Sequence, residues 1–170
     1  LVTLHRPSNV DDAAQLQALT TMLLNATSEC AVVFPVHPRT RKNLERFGLL
    51  TVIESSPRFI LTEPQGYVNF LALMMNARFV MTDSGGVQEE TTALGVPCLT
   101  LRTTTERPAT CEYGTNILVP PTQENIQTAL HNALKDIFRT DGVPASVPPL
   151  WDGKAAERIA TIILRECLSL

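Results

Sequence analysis

The chain has 170 residues, 44% of them apolar and 18% charged, with a formal net charge of −3. That is long enough for one domain with a real core, the acidic balance offers no electrostatic footprint for nucleic acid, and no apolar run approaches the length of a membrane span. The start shows no signal-peptide pattern; it is strand-like, Leu1-Val2-Thr3-Leu4, and lacks Met, which reads as a domain cut from a longer protein.

Residues 1–4 form the first predicted strand, followed by a loop through Pro7-Ser8-Asn9. Asp11 or Asp12 is placed to cap a helix running to about Asn25, with Leu16, Leu19, Met22 and Leu23 on one face. Ala31-Val32-Val33-Phe34 reads as a buried strand ending at Pro35. Residues 40–47 make a short basic helix stopped by Gly48. A strand at 59–61 leads to an apolar helix at 67–76, and a strand at 79–82 empties into Ser84-Gly85-Gly86. Thr91 to Gly95 reads as one to two helical turns with a glycine stop. Residues 97–101 and 116–119 are further strands, the last closed by Pro120-Pro121. The stretch 124–139 is an amphipathic helix, with Ile126, Leu130, Ala133, Leu134 and Ile137 as its buried stripe. A Pro-rich connector at 140–149 precedes a final helix at 154–168.

Alternating strands and helices with near-continuous apolar strands imply a parallel sheet covered on both faces. The expected fold is a single α/β domain over 1–170, a doubly wound, Rossmann-like sheet. In such sheets ligands bind outside the carboxyl ends of the strands. The residues that follow the predicted strands are His5-Arg6, His37-Pro38-Arg39, Glu63-Pro64-Gln65-Gly66, Asp83-Ser84-Gly85-Gly86 and Arg102-Thr103-Thr104-Thr105-Glu106-Arg107-Pro108. This rim of histidines, arginines, glycines and hydroxyls suits a diphosphate flanked by hydroxyl-bearing groups.

The run Asp83-Ser84-Gly85-Gly86-Val87-Gln88-Glu89-Glu90 is the most informative part of that rim. Glycines let backbone approach a ligand closely, and the free N–H groups of a helix's first turn favour an anion. Glu89 and Glu90 are too near that end to bind phosphate, and a carboxylate there is better suited to ribose hydroxyls. The same residues also fit an ordinary strand–helix connection with a Ser N-cap and acids in the first turn. No GxGxxG follows the first strand, which argues against NAD, and neither a P-loop nor a GxSxG elbow occurs. Cys30, Cys98, Cys111 and Cys167 form no CxxC pair and read as small reduced core residues, as expected in the cytosol.

Thr3-Leu4-His5-Arg6, Phe34-Pro35-Val36-His37-Pro38-Arg39-Thr40, Thr82 through Glu90, Arg102 through Pro108 and Gly153-Lys154-Ala155 together resemble the non-hydrolysing UDP-N-acetylglucosamine 2-epimerases. The resemblance covers the whole chain and corresponds to the C-terminal half of the family's chain. It implies the nucleotide-binding half of a GT-B-type two-domain fold with the active site in the cleft, and a cytoplasmic enzyme of cell-surface polysaccharide biosynthesis. The implied reaction interconverts UDP-GlcNAc and UDP-ManNAc: UDP is eliminated to a glycal and added back with inversion at C2, without a nicotinamide, metal or other cofactor. By the family pattern Ser84, Gly85 and Gly86 hold the diphosphate, Glu90 the ribose hydroxyls, and Arg107 lies near the phosphates. Gln65 and Phe70 belong to the nucleoside region, and His5 is this half's active-site histidine. The acid–base carboxylates come from the N-terminal half, so the implied partners are a UDP-sugar, that N-terminal domain and a second copy in a full-length homodimer, with no nucleic acid and no membrane. The family often has Arg and Glu after His-Arg; Pro7 and Ser8 stand here, which puts that loop's contacts in question. The competing expectations are the UDP-binding half of a GT-B glycosyltransferase or hydrolysing epimerase, and a non-catalytic UDP-sugar-binding module.

Overall fold

The computed structural model describes residues 1–136 and 146–168. The first strand, Val2–Thr3 (β1), is followed by a helical turn at Pro7–Val10 (α1) and a long helix at Ala13–Ala26 (α2). Then come Val32–Pro35 (β2), Pro38–Arg46 (α3), Leu50–Glu54 (α4), Phe59–Thr62 (β3) and Tyr67–Met75 (α5). Val80–Thr82 (β4) leads into Gly85–Leu94 (α6), and Cys98–Thr100 (β5) into Pro108–Glu112 (α7). Asn116–Leu118 (β6), Gln123–Leu134 (α8) and Ala155–Leu168 (α9) complete the described elements.

Every strand pairing is parallel. One ladder runs β1-β4-β5-β6 and a second joins β2 to β3. β2 lies against β1 without sharing its ladder. The lateral order is therefore 3-2-1-4-5-6, that of a doubly wound sheet with its switch point between β1 and β4.

Period-two alternation along the strands feeds two cores. Met81 joins the larger one, with Leu4, Leu16, Phe34, Leu99 and Ile126, while Val80 points the other way to Met74, Val87 and Val96. Helices α2 and α8 cover the first face and α5 and α6 the second, so β4 has no solvent-facing side and all three of its residues are buried. This is the physical reason the strand reads as continuously apolar.

Local signals explain most boundaries. Asp12 caps α2 by accepting the Gln15 N–H at 2.8 Å, and Gly95 ends α6 in the left-handed region at φ 71°. Three short helices lay outside the sequence reading. α1 replaces the loop expected at Pro7-Ser8-Asn9 because Pro7, with its fixed φ, occupies the first helical turn. α7 starts on Pro108 in the same way, and α4 is five residues bridging α3 to β3. α6 opens directly after Ser84, where a Ser N-cap was read, and runs on through Leu94 to the expected glycine stop at Gly95. Ile137 and Arg139 of the expected amphipathic helix, and residues 140–145 of the Pro-rich connector, lie outside the described residues. Only Cys98 among the cysteines is a core residue; Cys30 and Cys111 are half-buried and Cys167 is exposed. Burial first of all pushes the Cys98 thiol up to about 11, which leaves it inert.

Ile126 is the anchor of α8 on the larger core and is 1% exposed. Ile126→Ala should cost about 2–5 kcal/mol of unfolding free energy. Urea denaturation should show a lower midpoint with an unchanged m-value.

Candidate functional site

The parallel pairing of β1 with β4 sets Thr3 opposite Thr82. The next residues of each strand therefore leave the sheet side by side, which brings His5 and Arg6 next to Asp83 and Ser84. Asp83 is completely buried. Its carboxylate accepts the backbone N–H of His5 at 3.1 Å, that of Arg6 at 2.9 Å and the Asn9 side-chain amide at 3.0 Å. His5 Nδ1 lies 3.3 Å from Asp83 Oδ1, and Arg6 Nε donates to the Asp83 carbonyl at 3.0 Å. A buried carboxylate is tolerated only with such a set of donors. Asp83 thus joins the loop after β1 to the loop after β4.

Ser84 is the N-cap of α6 in extended geometry, φ −81° and ψ 136°, yet its hydroxyl makes no capping bond. Its own N–H donates to Thr82 Oγ1 at 3.0 Å. Nor does α6 carry an acid in its first turn, because the helix already begins at Gly85 and places Glu89 and Glu90 beyond it. The ordinary-cap reading of this motif put Ser84 at the N-cap, where it stands, but its hydroxyl makes no capping bond and the first turn holds no acid. The first-turn amides and the positive end of the dipole are left to serve an anion.

The two glycines differ. A Cβ on Gly85 would stand 2.5 Å from Glu106 Oε1, whereas a Cβ on Gly86 would meet nothing within 4 Å. Gly85 therefore makes room for a protein carboxylate and Gly86 faces open space. Glu106 is held there by Arg102 at 2.7 Å. That hydrogen bond, helped by a backbone bond, holds the Glu106 carboxyl down at about 2.

A cavity of about 210 Å³ opens beside this turn, lined by His5, His37, Gln65, Phe70, Ser84 and Val87 among others. It unites four of the residues singled out in the sequence: His5, Gln65 and Ser84 from beyond the ends of β1, β3 and β4, and Phe70 from α5. The His5 and His37 rings lie 5.5 Å apart. His37 caps α3, its Nδ1 accepting the Arg39 N–H at 3.2 Å.

Glu90 and Arg107 do not line that cavity. Arg107 Nε lies 3.0 Å from Glu89 Oε1. Burial, and next the charge of Glu89, raise the Glu90 carboxyl above its ordinary value.

Behind these groups runs a buried polar network to which the sequence reading assigned no role. Gln88, fully buried, donates to the Ser84 carbonyl at 3.1 Å and accepts from Thr105 Oγ1 at 2.6 Å and Asn116 Nδ2 at 3.0 Å. Thr105 Oγ1 in turn accepts the Arg107 N–H at 2.9 Å. Gln88 so ties the glycine turn to the Arg107 loop. Its sequence signal was a polar side chain next to Val87 and three residues before Thr91, both buried; Asn116, polar at the head of a strand, was the other.

Among the described residues no cluster of three His, Cys, Asp or Glu could hold a metal, and no helix is long and apolar enough to cross a membrane. A second cavity, about 260 Å³ and mainly apolar, is lined by Leu1, Leu23, Cys30, Phe79 and Leu130 among others. It sits around the amino ends of the strands, away from the convergent polar groups.

The comparisons agree with this geometry. A family model described as UDP-N-acetylglucosamine 2-epimerase matches residues 1–164. The UDP-N-acetylglucosamine 2-epimerase of Methanococcus maripaludis is 40% identical over 168 residues, 98% of this chain and 44% of that protein. The solved structure of UDP-GlcNAc 2-epimerase from Methanocaldococcus jannaschii is similar with a TM-score of 0.81 at 39% identity, over 96% of this chain and 45% of that one. The Methanocaldococcus jannaschii UDP-GlcNAc 2-epimerase in complex with UDP-GlcNAc and UDP gives 0.79 at 38% identity, over 96% and 44%. The chain spans less than half the length of these relatives. A parallel doubly wound sheet, a glycine turn opening an uncapped helix beside His5, and a family match running from the first residue to Leu164 converge: this chain belongs to the UDP-N-acetylglucosamine 2-epimerase family.

Proposed function

We propose that residues 1–170 form a single UDP-binding domain, the C-terminal half of an enzyme that interconverts UDP-GlcNAc and UDP-ManNAc by eliminating UDP and adding it back with inversion at C2. The observation that carries this reading is the uncapped N-terminus of α6, with Gly86 facing open space, next to His5. The relative solved with UDP-GlcNAc and UDP supports the ligand class.

In this reading the backbone of Ser84, Gly85 and Gly86 holds the diphosphate, while Gln65 and Phe70 hold the nucleoside in the cavity they share with His5. Glu90 accepts from the ribose hydroxyls. Arg107 leaves Glu89 and turns to the phosphates. Elimination places negative charge on departing UDP. Preorganised N–H groups and a guanidinium stabilise that charge and retain the leaving group for re-addition. The proton transfers at C2 require acid–base groups. The cavity lining contains no Asp or Glu, so we assign the C2 carboxylates to an N-terminal domain, for which the relatives' greater length leaves room. We further propose a cytoplasmic homodimer for the full-length protein.

Three outcomes test this. First, the 170-residue chain alone should bind UDP but not turn over UDP-GlcNAc, monitored by NMR for UDP-ManNAc; reproducible turnover that is lost in His5→Ala would refute the division of labour. Second, Gly86→Val should abolish UDP binding in calorimetry while the circular dichroism spectrum is retained, and unchanged affinity would remove Gly86 from the site. Third, Arg107→Ala should weaken UDP by about 1.5–3 kcal/mol, the cost of a charge-assisted bond, with little effect on uridine. Glu90→Gln should weaken both ligands. Equal losses for Arg107→Ala with UDP and uridine, or a Glu90→Gln loss confined to UDP, would reverse these roles.

A further inference from the structure

We propose that Asp83 is a positioning residue that fixes the tautomer of His5: it holds the imidazole proton on Nδ1 and leaves the Nε2 lone pair free on a ring that lines the cavity. The functional weight of this assignment rests on the reading of His5 as an active-site residue; the assignment itself does not.

The donors around Asp83 decide the tautomer. The groups that meet the Asp83 carboxylate at its two oxygens are the His5 and Arg6 backbone N–H groups, the Asn9 amide and His5 Nδ1. Three of the four are donors that cannot be anything else. An ionised carboxylate is purely an acceptor, with about four lone-pair directions, so the set is complete when His5 Nδ1 also carries a hydrogen. A lone pair at Nδ1 would face a buried anion across 3.3 Å, in surroundings where unpaired charge is costly. Because Asp83 is fully buried, water does not relieve that repulsion.

The ring is also aimed by its own backbone. The carboxylate that faces Nδ1 holds the N–H of the same residue, so main chain and imidazole of His5 are pinned by one group. His37, 5.5 Å away by ring centroids, is set the opposite way: its Nδ1 accepts the Arg39 N–H, which puts its proton on Nε2. The two histidines of the cavity therefore differ in polarity, His5 offering an acceptor and His37 a donor. The second nitrogen's partner commonly decides which form of a histidine is present.

An Asn at position 83 keeps the shape but brings an amide NH₂ into a site surrounded by donors. Whichever way it turns, at least one donor meets another, and the least constrained of them is His5 Nδ1, which can give up its hydrogen.

The test is long-range proton–nitrogen correlation NMR of the ¹⁵N-histidine-labelled chain at mildly alkaline pH, without ligand. The chain has three histidines, and a His5→Gln sample assigns the His5 pattern by its loss. The expected result is a majority Nδ1–H form for His5, which shifts toward Nε2–H in Asp83→Asn, while the His37 and His131 patterns are unchanged. Any other majority form of His5 in the parent chain overturns the proposal, as does an unchanged Nδ1–H pattern in a folded Asp83→Asn variant. Should that variant not fold, the parent spectrum decides alone. A merely structural tie between the two loops would not move the tautomer, and a chain that failed to bind UDP would leave this measurement intact.

Discussion

The parallel ladder between β1 and β4 is the constraint on which the rest of the site depends. It is only two residue pairs long, Val2 with Met81 and Thr3 with Thr82. Yet it decides that two chain segments nearly eighty residues apart leave the sheet together. A one-residue slip would turn Val80 and Met81 to the wrong cores and carry the Asp83 carboxylate away from the His5 and Arg6 amides. Register, burial and site geometry are therefore one specification. Burial on both faces of β4 fixes the register, and the register delivers the polar ends.

Two kinds of rigidity support those ends. Asp83 uses a charge to hold the loop after β1, and Gln88 uses neutral hydrogen bonds to hold the loop that carries Arg107. The second network runs through Asn116, whose Oδ1 accepts from Thr100 at 2.6 Å, so it is rooted in β5 and β6. Loops that carry functional groups gain precision when their side-chain partners stand on strands and helices. The central groups, Asp83, Gln88 and Asn116, are buried, which makes each of their bonds stronger and each missing partner more costly.

Much of this was legible in the sequence. The apolar runs named all six strands to within a residue at each end, and the rule that ligands bind at carboxyl ends put His5, Gln65 and Ser84 on one rim, where the cavity now unites them. Phe70 came from the resemblance alone, and its place in the same cavity is a matter of α5 packing. Short helices such as α1 and α7 escaped because a single turn has too few residues for periodicity to show. The full length of α6 was harder to read, because the two glycines that open it have low helix propensity. The partnership of Asp83 with His5 was out of reach for a different reason: it joins positions 78 apart in sequence, and only the ladder brings them together.

Where the proposed anion site recruits Arg107, its pair with Glu89 gives that site a further property. A ligand reaching that guanidinium does not capture a bare cation; it exchanges places with a carboxylate already there. The net number of ion pairs made is then smaller than the number of contacts in the complex. Affinity should respond only gently to ionic strength, and a singly charged anion, offering no more than Glu89 does, gains little by entering. A diphosphate, with its higher charge and several acceptor oxygens, is the kind of ligand that wins such an exchange. In the proposed anion site the Glu89 carboxylate would then act as a threshold against singly charged anions at the Arg107 guanidinium.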